Sequence, residues 1–481
     1  MMAKQCLTAN LCQPGPAHDI IPLMKKTIID VLDEMAVSSC DRSFIPGHKG
    51  RAFAGEGARN FEKALDGIYP FDVTETDKTD NLNYPEGVFR DAEEYAASLF
   101  GVRKTLFSVN GSTAGVIASV IASVKDNGTL LLPMNSHISC YYGAMHANAK
   151  VKRLYISDHI VGVTPEEIRE AVDGENDIAA AVITGPTYPG NCPDWEKIVP
   201  ILHEKGITVI ADESHGTHLS FSDRCPEGAV SAGADLIIHS GHKTIGGLTQ
   251  TGMLHINSDS VDPDDVRFAL RTVMSTSPSY ILSGSLFRAL KELSDLPAKL
   301  MEISEEYAET VEELSGLTRF SVLKNKRQDP MKLAVVCRCD TAAAARMLED
   351  RYGIIPEMVW GPVIVFIFGQ GTRREDLFRI RDAFRQMDGI MEYRQPKDLE
   401  TIPSVSTAMS MSRAISRRVR KVPFKESSGL IAADFVGAYP PGAPVIIPGD
   451  VINRDIIEYV SSSDNVVGLW DGNANIRVVR E

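Results

Sequence analysis

Between about residues 100 and 260, short apolar runs alternate with segments whose apolar residues recur at helical spacing. The runs Thr105–Val109, Thr129–Leu132, Val151–Ile156, Ala179–Ile183, Ile207–Ala211, Leu236–His239 and Gly252–Ile256 predict strands. Several are short and rich in Val and Ile, as a sheet covered on both faces requires. Between them, Thr164-Pro-Glu-Glu167 reads as a capping box with Pro at the first helical position. Asp194 can open a second helix and Gly206 can close it. Strand alternating with helix predicts an α/β domain with a mostly parallel sheet.

The pattern changes after a helix-rich stretch at Leu282–Leu314. Lys332–Cys339 reads as a strand, Thr341–Arg351 as a helix, Val359–Phe368 as a strand or hairpin and Arg373–Gln386 as a helix, which makes a smaller α+β unit. Upstream, a helical pattern at Ile20–Met35 leads into the Gly/Pro-punctuated loop Phe44-Ile-Pro-Gly-His-Lys-Gly50. Downstream, a Ser- and Met-rich stretch at Ser404–Ser416 and a basic run at Arg417–Lys421 read as a solvated linker or surface helix. The expected division is an N-terminal arm over 1–60, a large domain over 61–300, a small α+β domain over 301–395, and a linker with a C-terminal domain over 396–481.

The 481 residues are enough for two to four packed units. With 50 Lys+Arg against 64 Asp+Glu, the formal charge is −14, which disfavours general nucleic-acid binding. A 43% hydrophobic and 24% charged composition excludes whole-chain disorder. Apolar runs such as Val116–Val124 fall short of the roughly 18 residues of a spanning helix. Met1–Ile21 has no apolar core of a secretory signal. The eight cysteines form no CxxC pair and are too sparse for a disulfide scaffold. The expectation is a cytoplasmic protein with reduced thiols, no membrane or nucleic-acid partner and no metal.

The densest polar cluster is Val209-Ile-Ala-Asp-Glu-Ser-His-Gly-Thr-His218, followed by Gly233-Ala-Asp-Leu-Ile-Ile-His-Ser-Gly-His-Lys-Thr244. In both, an apolar strand runs directly into polar groups, where open α/β sheets place their ligand-binding residues. A lysine just beyond a buried strand is desolvated, which lowers its pKa and frees a neutral amine for a Schiff base. An aspartate in the same pocket can pair with a protonated pyridine nitrogen. Lys243 and Asp212 are therefore the two protein groups that pyridoxal 5'-phosphate (PLP) chemistry needs. Either residue alone fits a structural role better, and the reading rests on the set. The third member is Phe107-Ser-Val-Asn-Gly-Ser-Thr-Ala-Gly115, a strand, a small-residue turn and an apolar-striped helix. Ser112 and Thr113 at that helix N-terminus offer a phosphate site, without the P-loop spacing that would suggest ATP.

With Asn135-Ser-His-Ile-Ser139 and Thr184-Gly-Pro-Thr-Tyr-Pro-Gly190 between these motifs, the chain resembles the PLP-dependent ornithine/lysine/arginine decarboxylases of fold type I. Pro46-Gly-His-Lys-Gly50, Asp72-Val-Thr-Glu75, Thr276-Ser-Pro-Ser-Tyr280 and Tyr439-Pro-Pro-Gly442 extend the likeness over nearly the whole chain from about residue 40. The likeness is to the short form of the family, which is expected to do without the extra N-terminal domain of the longer members. The resemblance implies that Lys243 bonds the cofactor, Asp212 holds its ring proton and His215 lies near its phenolic oxygen. It implies further that His137 stacks on the ring and that Ser112, Thr113, Ser240 and His242 hold the phosphate. Lys243, His137 and Asp212 are the expected catalytic residues.

The resemblance implies decarboxylation of a basic amino acid, arginine first, then lysine or ornithine, to CO2 and a polyamine-type amine. It also implies a homodimer or dimer of dimers with sites at the interface. Several positions depart from the family pattern: Asn81-Leu-Asn83, Ile138, Gly241, Phe287 and Leu430. These touch the substrate side, which keeps open a PLP-dependent aminotransferase or lyase acting on a related amino acid. A catalytically silent regulatory homologue is the third reading. Thr276, Glu426 and Asp434 are the expected substrate or partner-subunit contacts, with the two carboxylates as candidates for a distal cation on the substrate.

Overall fold

A computed structural model describes residues 26–37, 59–125, 127–396, 401–438, 442–463 and 465–480. The motifs Phe44–Gly50 and 439–441, and the start of the Ile20–Met35 pattern, lie outside those residues. Within them, α1 (Ile28–Val37), α2 (Asn60–Ile68) and α3 (Val88–Phe100) precede the sheet.

The large sheet has seven strands: β1 (Lys104–Ser108), β2 (Thr129–Pro133), β3 (Lys150–Leu154), β4 (Ile178–Thr184), β5 (Thr208–Asp212), β6 (Leu236–Ser240) and β7 (Gly252–Ile256). All seven predicted strands are present, with ends shifted by no more than two residues. The order is β1-β7-β6-β5-β4-β2-β3; β7 runs antiparallel to both neighbours and the other pairings are parallel. The crossovers are made by α4 (Gly111–Ser123), α5 (Ile138–His146), α6 (Pro165–Val172) and α7 (Trp195–His203).

Side-chain alternation shows why these strands are apolar at nearly every position. Leu130, Leu132, Ala180, Val182, Ile210, Leu236 and Ile238 enter one core, with α3 and α4. Leu131, Ala181, Ile183, Val209, Ala211 and Ile237 enter a second core, with α6 and α7. Successive side chains on a strand point to opposite faces, so a sheet buried on both sides has no polar position to alternate with. The capping box on α6 is present, with the Thr164 hydroxyl accepting from the Glu167 N–H and the Glu167 carboxylate accepting from the Thr164 N–H.

After α8 (Pro263–Val273), α9 (Tyr280–Lys291) and the long α10 (Leu296–Ser315), a four-stranded antiparallel sheet forms in the order β10-β11-β9-β8. Its strands are β8 (Phe320–Val322), β9 (Lys332–Cys337), β10 (Met358–Trp360) and β11 (Val363–Ile367), with α11 (Thr341–Tyr352) and α12 (Arg374–Asp388) packed on it. The predicted Val359–Phe368 element is a hairpin. One face buries Leu333, Val335, Ile364 and Phe366 against α12. The other carries Ala334, Met358, Val363 and Val365 and packs against Tyr188 of the large domain. That contact brings the small sheet to the edge where β4 and β5 end.

The last part comprises α13 (Met411–Ile415), β12 (Val419–Pro423), β13 (Val436–Ala438), β14 (Pro444–Ile446), α14 (Arg454–Ser462), β15 (Val466–Val467) and β16 (Asn475–Val479) around its own core of Val422, Phe424, Val436, Ile446, Ile456 and Ile476. The basic run is neither linker nor helix: Val419–Lys421 belongs to β12, paired with β16. Only Val422 and Phe424 of this stretch turn inward, so the Arg and Lys side chains occupy the wet face of a two-stranded sheet. No described helix is long and apolar enough to cross a membrane.

Candidate active site

Six strands of the large sheet present their C-terminal ends to one edge. Asp212 ends β5 and Ser240 ends β6, while antiparallel β7 starts there with Gly252, paired with both Ser240 and Ser108. The chain leaving β1 turns into α4, which puts Ser112 and Thr113 in its first turn. A Cβ on Gly252 would lie 2.9 Å from the backbone of Gly111 and Ser112, so only a bare Cα lets that turn seat on the sheet. The Ser240 hydroxyl then donates to the Ser112 hydroxyl at 3.0 Å, joining β6 to the helix N-terminus. His242 is oriented by its Nδ1–H, which donates to the Thr251 carbonyl at 3.1 Å.

These groups open onto a cavity of about 1200 Å³. Ser112, Thr113, His137, Asp212, His215, His242 and Lys243 all line it, and Ser240 stands directly behind Ser112. Residues separated by more than a hundred positions are thus brought to one place. Asp212 is buried, and its Oδ1 accepts from the Ser214 hydroxyl at 2.5 Å, which fixes the carboxylate. Nζ of Lys243 lies 3.0 Å from Nε2 of His215. Burial lowers the Lys243 pKa below the ordinary lysine value, against the pull of Asp212 and Glu357. Burial also holds His215 well below the usual histidine value, helped by Lys332 and Lys243, so its imidazole is neutral. His137 caps α5, its Nδ1 accepting from the Ser139 N–H at 3.2 Å. Burial lowers its pKa too.

Thr276, Glu426 and Asp434 do not line this cavity in their own chain. Thr276 is exposed; the adjacent Ser275 N–H donates to Asn110 at the cavity rim. Glu426 is exposed. Asp434 is buried and bonded to Arg477 (Nε at 2.7 Å) and to the Trp470 indole N–H at 2.9 Å.

Three features were not among the expected site residues. Tyr188 packs on the His215 ring with centroids 4.9 Å apart. Lys332, fully buried, donates to the Thr187 carbonyl at 2.8 Å, and burial pushes its pKa down to about 8. Behind Asp212, a buried relay crosses four strands: Glu213 Oε2 to His239 Nε2 at 2.9 Å, His239 Nδ1 to His255 Nε2 at 3.0 Å, and His255 Nδ1 to the Thr105 hydroxyl at 2.8 Å. The Glu213 carboxylate accepts from the His239 Nε2–H, and the two histidines carry the contact on to Thr105. The Asp-Glu-Ser-His and Ile-His-Ser motifs contain two of these residues, but pairing across strands was not readable from them.

Several family departures have a structural counterpart. A Cβ at Gly241 would meet both Leu286 and the Thr251 hydroxyl at 2.6 Å, so these neighbours occupy the space of a larger residue. Phe287 is fully buried against Tyr95, ring centroids 5.7 Å apart.

The cavity's own polar atoms bear on its fit to PLP. Buried atoms without partners gather around the cavity, among them His215 Nδ1, Asn135 Oδ1 and Thr184 Oγ1. Native proteins leave few such atoms unsatisfied, and a polar ligand accounts for their concentration here. A hydroxyl-rich helix N-terminus, a fixed carboxylate and a desolvated lysine share the same wall, so the residues fit the group.

A mostly parallel sheet with one antiparallel strand, a lysine after β6 and an aspartate at the end of β5 define the architecture of a fold type I PLP enzyme. The chain belongs to the Orn/Lys/Arg decarboxylase family: the model of the family's major domain matches residues 30–332 and that of its C-terminal domain matches residues 393–472. It is an amino-acid decarboxylase. It is 29% identical over 452 residues to an arginine decarboxylase of Halalkalibacterium halodurans, covering 88% of this chain and 90% of that one. An arginine decarboxylase of Bacillus subtilis is also 29% identical, over 467 residues, covering 91% and 94%. The solved constitutive lysine decarboxylase of Escherichia coli superposes with a TM-score of 0.77 at 17% identity, covering 96% of this chain and 82% of that one.

Proposed function

We propose that the chain is a PLP-dependent arginine decarboxylase. The observation that carries the cofactor is the meeting of Lys243, Asp212 and the Ser112–Thr113 helix turn in one cavity. The arginine assignment is supported by the names of the relatives that align along nearly the whole chain.

Lys243 would bond the cofactor, Asp212 would keep the proton on its ring nitrogen, and Ser112, Thr113, Ser240 and His242 would hold its phosphate. His137 would cover the ring face and His215 would lie by the phenolic oxygen. When bound, PLP supplies the electron sink that makes loss of a carboxylate from Cα accessible. The protein contributes the rest. The Ser214 hydroxyl keeps Asp212 aimed, and an anion held in a buried site needs no reorganisation as charge develops. Lys243 and His137 stand in the same wall as bases that would first take up a proton, as from the substrate's ammonium group, and could then return it to the carbon that CO2 has left. The exposed Thr276, next to Ser275 at the cavity rim, is in keeping with a homodimer in which one copy completes the other's site.

The test is CO2 release from arginine, lysine and ornithine by the PLP-loaded protein. Release from arginine at the highest kcat/KM supports the proposal. Release from lysine or ornithine alone moves the substrate, and amine transfer without CO2 overturns the reading.

A further inference from the structure

The small domain grips the cavity wall through residues 327–332. The Asp329 N–H donates to the Gly190 carbonyl at 2.8 Å, and the Cys192 N–H donates to the Arg327 carbonyl at 2.9 Å. The Gln328 amide adds a bond to the Pro189 carbonyl at 3.1 Å. Thr187, Tyr188 and Pro189, the residues held by this clasp, all line the cavity.

Lys332 is the only fully buried lysine among the described residues. It opens β9, and strand alternation puts it with Ala334 and Val336 on the face that packs on Tyr188. Its Nζ donates to the Thr187 carbonyl at 2.8 Å and stands 5.6 Å from the centre of the Tyr188 ring. That ring lies against the His215 imidazole with centroids 4.9 Å apart, and His215 Nε2 is 3.0 Å from Lys243 Nζ. A continuous line of contacts thus runs from the small domain to the amine.

The fold alone does not account for the charge in that line. A methionine would fill the same space without burying an ammonium group, whose burial is costly. The Thr187 carbonyl does not need the lysine either, because it already accepts from the Gly190 N–H at 2.9 Å. His215, in contrast, depends on its neighbours. Its Nδ1 has no partner in the protein, so the stacked Tyr188 ring and the contact with Lys243 set its orientation.

We propose that Lys332 is a positioning residue for the reaction: anchored on the Thr187 carbonyl, it holds Tyr188 against His215 and so fixes His215 beside Lys243. This rests on the reading of Lys243 as the amine that bonds the cofactor. The electrostatics run along the same line. After burial, Lys332 is the strongest influence keeping the His215 imidazole neutral, ahead of Lys243. Asp212, His137 and Glu357 also surround Lys243 or His215, and none of them is altered in the test below.

The experiment compares the wild type with Lys332→Met, Lys332→Arg, Tyr188→Leu and the double variant Lys332→Met/Tyr188→Leu. Arg327→Met is the control for the clasp alone: Arg327 pairs with Asp194 at 2.8 Å at the start of α7 and does not line the cavity. Two quantities are read. One is kcat and KM for CO2 release from arginine by the PLP-loaded protein. The other is acetic anhydride labelling of Lys243 in the cofactor-free protein, followed against pH by peptide mass spectrometry. Lys332→Met is expected to lower kcat about 10- to 100-fold with KM within about 3-fold. Removing its positive charge should move the Lys243 labelling midpoint up by about half a pH unit or more. Lys332→Arg should restore part of both. The double variant should lose no more kcat than Tyr188→Leu alone, because both changes break one line of contacts. Arg327→Met should leave both quantities near wild type. Wild-type kcat and labelling in Lys332→Met overturn the proposal, as does an equal loss in Arg327→Met, which would make Lys332 a tether only. Additive losses in the double variant remove the route through Tyr188. If the wild type releases CO2 from no basic amino acid, the proposed function fails, and the labelling of Lys243 still decides whether Lys332 acts on that amine.

Discussion

Nζ of Lys243 and Nε2 of His215 lie 3.0 Å apart, two bases in direct contact within the same buried wall. Such a contact is stable only if the pair does not carry two positive charges. Burial provides this by lowering both pKa values, that of His215 well below its usual range. The amine that must attack an aldehyde is therefore partly neutral at a pH where surface lysines are fully charged. Capture of pyridoxal at Lys243, trapped by borohydride, should rise with pH and level off below the ordinary lysine pKa of about 10.4. In His215→Ala, water enters beside the amine, desolvation eases and the profile should move to higher pH. A profile unmoved by that substitution contradicts the role assigned to burial.

Lys332 predicts a pH dependence of stability. Its folded pKa of about 8 lies below the unfolded value, so folding opposes its charge by on the order of 3 kcal/mol. That penalty is complete below pH 8 and disappears as pH rises from about 8 to 10.5, because the unfolded chain binds the extra proton in that window. Relative to Lys332→Met, the wild type should gain stability between pH 7.5 and pH 10. Chemical denaturation at the two pH values measures the gain, and parallel behaviour of both proteins refutes it.

Arg153 ties the edge strand β3 to the C-terminal unit. Its guanidinium makes two bonds to the fully buried Asp450, at 2.9 and 2.7 Å, and Asp450 also accepts from Thr407. Removing one member strands the other charge in a dry site, so Arg153→Leu should destabilise by about 3–5 kcal/mol. The double variant Arg153→Leu/Asp450→Leu should lose less than Arg153→Leu alone, because no orphaned charge remains. Equal losses in a double-mutant cycle would remove the pair as a tether.

Glu213 anchors the relay that ends at Thr105, and its second oxygen accepts from the Ala229 N–H at 2.9 Å. Gln at this position offers an amide N–H to one of two donors, leaving a buried hydrogen bond unmade. A loss of about 1–3 kcal/mol is expected in thermal unfolding. The PLP-loaded variant should still release CO2, since Glu213 does not line the cavity.

The strands were legible because burial on both faces leaves an uninterrupted apolar run, and the cofactor-side residues because each follows such a run directly. Lys243, Asp212, His215 and the Ser112–Thr113 turn are separated in sequence but share one sheet edge, and the order of apolar runs was enough to indicate that. Glu357 was not legible. It is a single acidic residue just before the three-residue β10, and only the folding of the small domain carries it to the cavity wall. The basic run at Arg417–Lys421 misled for the opposite reason: a two-stranded sheet wet on one face needs few apolar residues, so β12 resembles a linker.

The central claim is that Lys243 carries the cofactor in an amino-acid decarboxylase. The direct measurement is borohydride reduction of the PLP-incubated protein followed by peptide mass spectrometry, with CO2 release from arginine measured on the same preparation. A pyridoxyl group on Lys243, and loss of both adduct and CO2 in Lys243→Ala, is the predicted result. An adduct confined to another lysine, or CO2 release that survives Lys243→Ala, would contradict it.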